Sequence, residues 1–347
     1  MKILVITDLY PIKDDEKCTP RTIYDFVQEW KKSGHEVKVI KPNFILNSFL
    51  RRKPFYKSGI YGDIENINYW LPFIGKIKNK IQSNLEADIV IAHMPSGLIF
   101  ANKLGLNFCA GVHVSDLEVL RNPVYKIYFK TELEQAYQNA QKIACRSFVL
   151  KDKFLKLYSE YASKTFVAPS GIQFKPIKRT WNPIGKIKVL TCGQLIKRKN
   201  IDKVIHACEG FENIELTVIG SGEKYKDLRK LSKKPIFTGR LSHEEVLKKM
   251  CESDIFILPS INETFGMVYL EAMAEGCITV CTKGDGIDGI IKDSENGFLT
   301  EVDKVGETIQ RMLDYKDKNK LLNNAYNTIL SYNQHSMADN YLSNLED

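Results

Sequence analysis

The stretch Asp254–Glu275, DIFILPSINETFGMVYLEAMAE, decides how the rest of the chain is read. It opens on an unbroken apolar run, Ile255 to Leu258, the pattern of a strand buried on both faces of a parallel sheet. Pro259 and Ser260 end the run. A polar loop, Ile261-Asn262-Glu263-Thr264, leads through Phe265-Gly266 into a helix-forming segment from Met267 to Glu275. A strand, a loop at its carboxyl end and a helix start make up the place where open α/β sheets hold ligands. The first N–H groups of a helix have no partner inside it, so they are available to a bound group.

Two carboxylates bracket that turn: Glu263 on the loop and Glu271 about two helical turns into the helix. A bare pair at this spacing is common on solvated helix faces. Set between this strand and Glu-Ala-Met-Ala, the run Glu263-Thr264-Phe265-Gly266-Met267-Val268-Tyr269-Leu270-Glu271 resembles the Glu-x7-Glu signature of retaining, nucleotide-sugar-dependent glycosyltransferases of the GT-B fold, family four (glycosyl transferases group 1). The resemblance implies an α/β protein: two Rossmann-like doubly wound domains facing a central cleft, with a C-terminal helix crossing back to the first domain. It also implies that Glu263, Thr264 and the amides of Phe265, Gly266 and Met267 hold the donor sugar, and that Glu271 takes the ribose hydroxyls.

Other segments of the second half carry the same resemblance. Gly193-Gln194-Leu195-Ile196-Lys197-Arg198-Lys199 is similar to the family's Gly-Arg-Leu-x-x-x-Lys. The family's Arg and Lys neutralise the donor diphosphate and stabilise the leaving group. Lys199 matches that Lys, whereas Gln194 stands where the Arg belongs, so Lys197 or Arg198 is expected to supply the missing charge. Gly220-Ser221-Gly222-Glu223 reads as a tight strand-to-helix reversal that glycine permits. Ile236–Arg240 is another strand end, with Arg240 expected near the base. Ser242-x-x-Glu245 is a capping box. Gly284–Gly289 is a glycine-rich loop expected beside the donor sugar.

In the first half, Lys2–Thr7, a helix from Thr19-Pro20 to Ser33, and His35–Ile40 form the strand–helix–strand opening of a doubly wound domain. There is no GxGxxG after the first strand, which argues against a dinucleotide-binding oxidoreductase. The family's Gly-Gly pair in the following loop is also missing. Ala87–Ala92 and Asn107–Val114 are further strands, leading to His93 and to His113-Val114-Ser115-Asp116. The resemblance makes His113 a transfer-centre residue beside Glu263 and Lys199, and Ser115, Asp116 and Arg121 acceptor-binding candidates. The expected division is 1–172 for an acceptor-binding domain, 173–185 for a Pro- and Lys-rich linker, 186–325 for the donor domain and 326–347 for the returning helix.

Composition agrees with this reading. A 347-residue chain that is 44% hydrophobic can bury two cores. No apolar run approaches the ~18 residues of a membrane span, and MKILVITDLY meets Asp8 too early for a signal peptide. The eight cysteines form no CxxC pair, which fits a reducing cytosol rather than a zinc or disulfide framework. The whole net charge of +8 belongs to the first 166 residues; the remainder is balanced. Within 41–80, bases alternate with Phe44, Phe49, Phe55, Tyr56, Tyr61, Tyr69, Trp70 and Phe73, a mixture suited to an anionic membrane surface. Nothing resembles a nucleic-acid-binding module.

The expected activity is retaining transfer of a sugar from a nucleotide-diphosphate sugar, a UDP-sugar first, to a saccharide or lipid-linked acceptor in bacterial surface polysaccharide or glycolipid assembly. With no Asp-x-Asp in a suitable loop, and with lysine, arginine and helix-start amides to hold the diphosphate, no essential metal is expected. Cysteine usage and the basic–aromatic stretch point to a cytoplasmic protein, peripheral on the inner face of the plasma membrane. Two other classes share the two-domain fold: a sugar-nucleotide 2-epimerase, and a non-catalytic subunit of a glycosyltransferase complex. Gln194 and the missing Gly-Gly favour the latter; the Glu-x7-Glu context opposes the former.

Overall fold

The apolar runs become parallel strands, and most of the segments between them return as helices. The computed structural model describes residues 1–13, 21–44, 55–69, 81–121 and 123–346, without the side chains of 44, 119–121, 124, 125 and 128. The Thr19-Pro20 helix start and most of the basic–aromatic stretch lie outside these residues. The chain forms two units. One holds Met1–Arg146, Leu150–Ser170 and Gln334–Asp347; the other holds Ser147–Val149 and Gly171–Asn333.

Among the described residues, the first unit carries an eight-stranded sheet: β1 (Lys2–Ile6), β2 (Glu36–Phe44), β3 (Gly59–Tyr61), β4 (Ile64–Tyr69), β5 (Ile89–His93), β6 (Cys109–Val112), β7 (Lys142–Cys145) and β8 (Thr165–Val167). The order is β3-β4-β2-β1-β5-β6-β7-β8, parallel except for β3. Chain direction along the sheet reverses between β1 and β5, which opens a crevice at the carboxyl ends. The helix Thr22–Lys32 turns Ile23, Phe26, Val27 and Trp30 inward at helical spacing. The last helix, Gln334–Glu346, covers that same stripe. Trp30 Nε1 donates to the Ala338 carbonyl at 3.0 Å, and the Tyr341 ring stands edge-on to Phe26 and Trp30.

The β3–β4 hairpin corrects the reading of residues 41–80 as one interfacial stretch. Every residue of β4 is buried, Tyr69 among them, so this ring belongs to the core. Lys41 is buried as well and donates to the Tyr10 carbonyl. Two apparent surface groups are therefore packing groups.

The second unit is a six-stranded, all-parallel sheet: β9 (Ile187–Cys192), β10 (Ile214–Ile219), β11 (Ile236–Gly239), β12 (Ile255–Leu258), β13 (Ile278–Thr282) and β14 (Phe298–Thr300), ordered β11-β10-β9-β12-β13-β14. Direction reverses between β9 and β12. These neighbours carry the Gly193–Lys199 segment and the Glu263 loop at their carboxyl ends. Gly220 and Gly222 lie directly on other backbone: a Cβ at Gly220 would sit 1.9 Å from the Gly193 oxygen, and one at Gly222 would sit 2.4 Å from the Leu195 oxygen. Residues 173–185 run along this unit, held by the Ile177 N–H on the Ala274 carbonyl and the Trp181 N–H on Asn319. The helix Lys318–Ser331 also stays with the second unit; only from Gln334 does the chain join the first.

Candidate functional site

β12 is fully buried, and its last carbonyl, that of Leu258, accepts the Tyr269 hydroxyl at 2.8 Å. This bond ties the strand end to the helix Met267–Ala274. Gly266 begins that helix at φ 95°, and a Cβ there would lie 2.5 Å from the Tyr269 ring. Only glycine meets both conditions. The Tyr269 N–H turns back onto the Gly266 carbonyl at 3.1 Å, and the N–H groups before it, at Met267 and Val268, have no partner inside the helix.

That loop is stitched on two sides. The short turn Lys197–Lys199 ends at Asn200, which is left-handed at φ 50°, and its side-chain amide donates to the Pro259 carbonyl at 2.8 Å. The Ile261 N–H donates to the Arg198 carbonyl at 2.9 Å. From the other side, the buried Asp285 carboxylate accepts the N–H groups of Asn262, of Glu263 at 3.1 Å and of Gly286 at 2.7 Å. Gly286 has φ 47°, and a Cβ there would press within 2.9 Å of the Glu263 Cβ.

Held this way, one oxygen of Glu263 collects three donors: Lys199 Nζ, Arg198 at 2.8 Å and Ser260 Oγ at 2.6 Å. The Lys199 and Glu263 side chains are 11% and 14% exposed, so their charges act through protein more than through water. Burial alone would raise the Glu263 carboxyl. The charge and hydrogen bond of Lys199, the Ser260 hydroxyl and the charge of Arg198 outweigh burial and hold it below its ordinary value. Gly193 lies against the Lys199 stem, whose Cε would be 3.7 Å from a Cβ at 193.

Glu271 sits on the same helix and is 17% exposed at the side chain; its Oε1 is 3.0 Å from His243 Nε2. That hydrogen bond raises the imidazole above its ordinary value, against the opposing effect of burial. The Cys192 thiol, at the end of β9, is pushed up to about 12 by burial, then by the Glu271 charge, with Lys199 opposing. Lys199, Glu263 and Glu271 thus gather around the ends of β9 and β12. Of the two bases expected to replace the missing Arg, Arg198 joins this cluster and Lys197 is exposed. Gln194 and Arg240 are exposed and make no side-chain bond to the cluster. Thr264 and Met267 are half-buried, and Phe265 is buried.

In the first unit, His113 follows β6 and its Nε2 lies 3.2 Å from His93 Nδ1. Both rings are buried. Burial, then the Arg146 charge, brings His113 down to about 3, so it is a neutral imidazole at physiological pH. Gly111 makes room for the pair, since a Cβ there would be 1.9 Å from His93 Nδ1. Asp116 is fully buried, and its Oδ2 accepts the His113 N–H at 2.7 Å, which is a capping contact at the start of the helix Val114–Arg121. Ser115 is half-buried, its hydroxyl 3.6 Å from the Met94 sulfur. The Arg121 side chain lies outside the described residues. Among the described residues no three His, Cys, Asp or Glu side chains are grouped to hold a metal, and no helix is long and apolar enough to cross a membrane.

Three site residues were missed by sequence reasoning: Ser260 was read only as the end of the apolar run, and His243 and Asp285 were not read as site residues at all. His243 is hidden behind the Ser242 capping box, and Asp285 inside the glycine-rich loop. The weak signal for Asp285 was a carboxylate between two glycines, a place where backbone amides can converge on it.

Two family models match end to end: Glycosyltransferase Family 4 over residues 19–175 and Glycosyl transferases group 1 over residues 175–329. The uncharacterized glycosyltransferase MJ1178 of Methanocaldococcus jannaschii is 27% identical over 70% of this chain and 69% of its own. The putative teichuronic acid biosynthesis glycosyltransferase TuaC of Bacillus subtilis is 25% identical over 95% of this chain and 99% of its own. In fold, the chain is similar to Anabaena Alr3699/HepE in complex with UDP, with a TM-score of 0.73 and 16% identity over the whole of both chains. Fold and family models agree, and the chain belongs to the GT-B-fold glycosyltransferases of group 1, family four.

Proposed function

We propose that this glycosyltransferase takes its sugar from a UDP-sugar and passes it, with retention of anomeric configuration and without a metal, to a hydroxyl of a saccharide or lipid-linked acceptor in surface polysaccharide or glycolipid assembly. The observation that carries the reading is the cluster of Glu263 with Lys199, Arg198 and Ser260 beside the start of the helix Met267–Ala274. An anionic diphosphate is the kind of ligand that two bases and a helix start attract. Glu263, held ionised, is an acceptor for sugar hydroxyls. Lys199 and Arg198 stabilise the departing diphosphate as the glycosidic bond breaks, and its oxygen takes the acceptor's proton in a front-face step. Glu271 takes the ribose hydroxyls. His113, as a neutral imidazole, offers a hydrogen bond rather than an acid. UDP in the similar HepE structure and the teichuronic acid role in the name of TuaC support the donor and the acceptor class.

The test is a thermal-shift panel of UDP-, GDP- and ADP-sugars, since a ligand that binds only the folded chain raises its melting temperature. UDP-sugars are expected to give the largest rise. Transfer to a polyprenyl-linked saccharide in EDTA, with the product anomer read by NMR, then checks acceptor, metal independence and stereochemistry. An inverted product would overturn the retaining mechanism. Peripheral attachment to an anionic membrane is part of the same proposal and is checked by sedimentation with phosphatidylglycerol vesicles.

A further inference from the structure

The contact between His243 and Glu271 has no task in the transfer described so far. His243 is the first residue of the helix His243–Cys251, and a complete capping box anchors it: Ser242 Oγ accepts the Glu245 N–H, and Glu245 Oε2 accepts the Ser242 N–H at 2.8 Å. The imidazole is therefore delivered from a fixed backbone. It engages only Oε1 of Glu271; Oε2 has no hydrogen-bond partner among the described residues. A carboxylate on a helix face otherwise samples several rotamers. One anchored oxygen restricts which way the other points.

We propose that His243 is a positioning residue for the nucleotide: by holding one oxygen of Glu271 it directs the other to the ribose hydroxyls, and so makes the site choose ribonucleotides over 2′-deoxyribonucleotides. The inference rests on the reading that Glu271 meets the ribose. Discrimination follows because a ligand lacking the hydroxyl leaves a half-buried carboxylate oxygen without a donor, which costs more than a contact merely forgone. An imidazole suits this position because Nε2 carries a proton in the charged form and in one neutral tautomer. The hold thus persists across neutral pH.

The test is calorimetric titration of the full chain with UDP, GDP and ADP, each against its 2′-deoxy counterpart. Wild type is expected to bind one ribonucleoside diphosphate about tenfold or more tighter than the deoxy form. His243→Ala should bring that ratio close to one by weakening the ribonucleotide. His243→Gln, whose amide offers an N–H at similar reach, should recover part of it. The His243 side chain is 66% exposed, so neither variant threatens the fold, and melting without ligand checks this. If no diphosphate binds wild type, or wild type ignores the 2′-hydroxyl, the donor reading of Glu271 fails. If wild type discriminates and His243→Ala keeps the full ratio, or Gln is as deficient as Ala, the role of His243 is overturned while the donor reading stands.

Discussion

Asp285→Asn should loosen the loop that carries Glu263 without touching Glu263. The wild-type carboxylate accepts three backbone N–H groups, from Asn262, Glu263 and Gly286, and is 7% exposed. An amide keeps one oxygen for the pair shared by Glu263 and Gly286, but turns its NH2 group toward the Asn262 N–H. One bond is lost outright, leaving a donor unsatisfied, and the other two fall from charge-assisted to neutral. With about 1–3 kcal/mol for the orphaned donor and a smaller weakening of each remaining bond, the expected loss is about 2–4 kcal/mol. At about 2–4 °C per kcal/mol, the second unit should melt about 4–16 °C lower by calorimetry. Glu263 would then no longer meet the sugar in one fixed place, so initial rates should show a raised donor KM together with a lowered kcat. A variant that melts within about a degree of wild type with unchanged kinetics would refute the account, because the three amides would then have found equal partners elsewhere.

Lys199→Ala should lower kcat by about 10²–10³-fold, the usual effect of removing one group that stabilises developing charge, and Lys199→Arg should recover part of it; steady-state rates with the confirmed donor check both. The Glu263 carboxyl is held below its unperturbed 4.5, so its contribution to stability is present above that value and is lost as pH falls through the lower folded value. Denaturant titrations of wild type and Glu263→Gln should therefore differ at neutral pH and draw together as the pH falls below 4.5 through the lower folded value. Trp30→Ala should destabilise the first unit by about 3–5 kcal/mol, since the ring is fully buried and its N–H holds the last helix. Chemical denaturation followed by Tyr and remaining Trp fluorescence would show a lower midpoint.

The second unit was legible because its chemistry lies in contiguous motifs. Ile255–Leu258 is a strand at the expected residues, Ser242 and Glu245 close the expected capping box, and the helix begins at Met267 as anticipated. Two things stayed hidden, for one physical reason. The His243–Glu271 contact and the Asp285 clamp join residues 28 and 22 apart across different strand–helix units, and a local pattern carries no information about which loops a sheet order brings together. Two members of the basic–aromatic stretch were misread for a different reason. Composition could not reveal which residues of the stretch fold into the sheet, so Lys41 in β2 and Tyr69 in β4 looked like surface groups although they are core. The missing Arg at Gln194 was legible as a gap; that Arg198 joins Lys199 at Glu263 followed only from the left-handed turn at Asn200.

The helix Gln334–Glu346 comes last in the chain yet completes the unit that comes first. During synthesis, the stripe of Phe26, Val27 and Trp30 leaves the ribosome roughly three hundred residues before the segment that shelters it. At about 5–20 residues per second, that stripe waits some tens of seconds, an interval in which greasy surface invites chaperones or misassembly. The second unit has no such debt to later sequence, so it should be the first to mature, and the amino-terminal half the last.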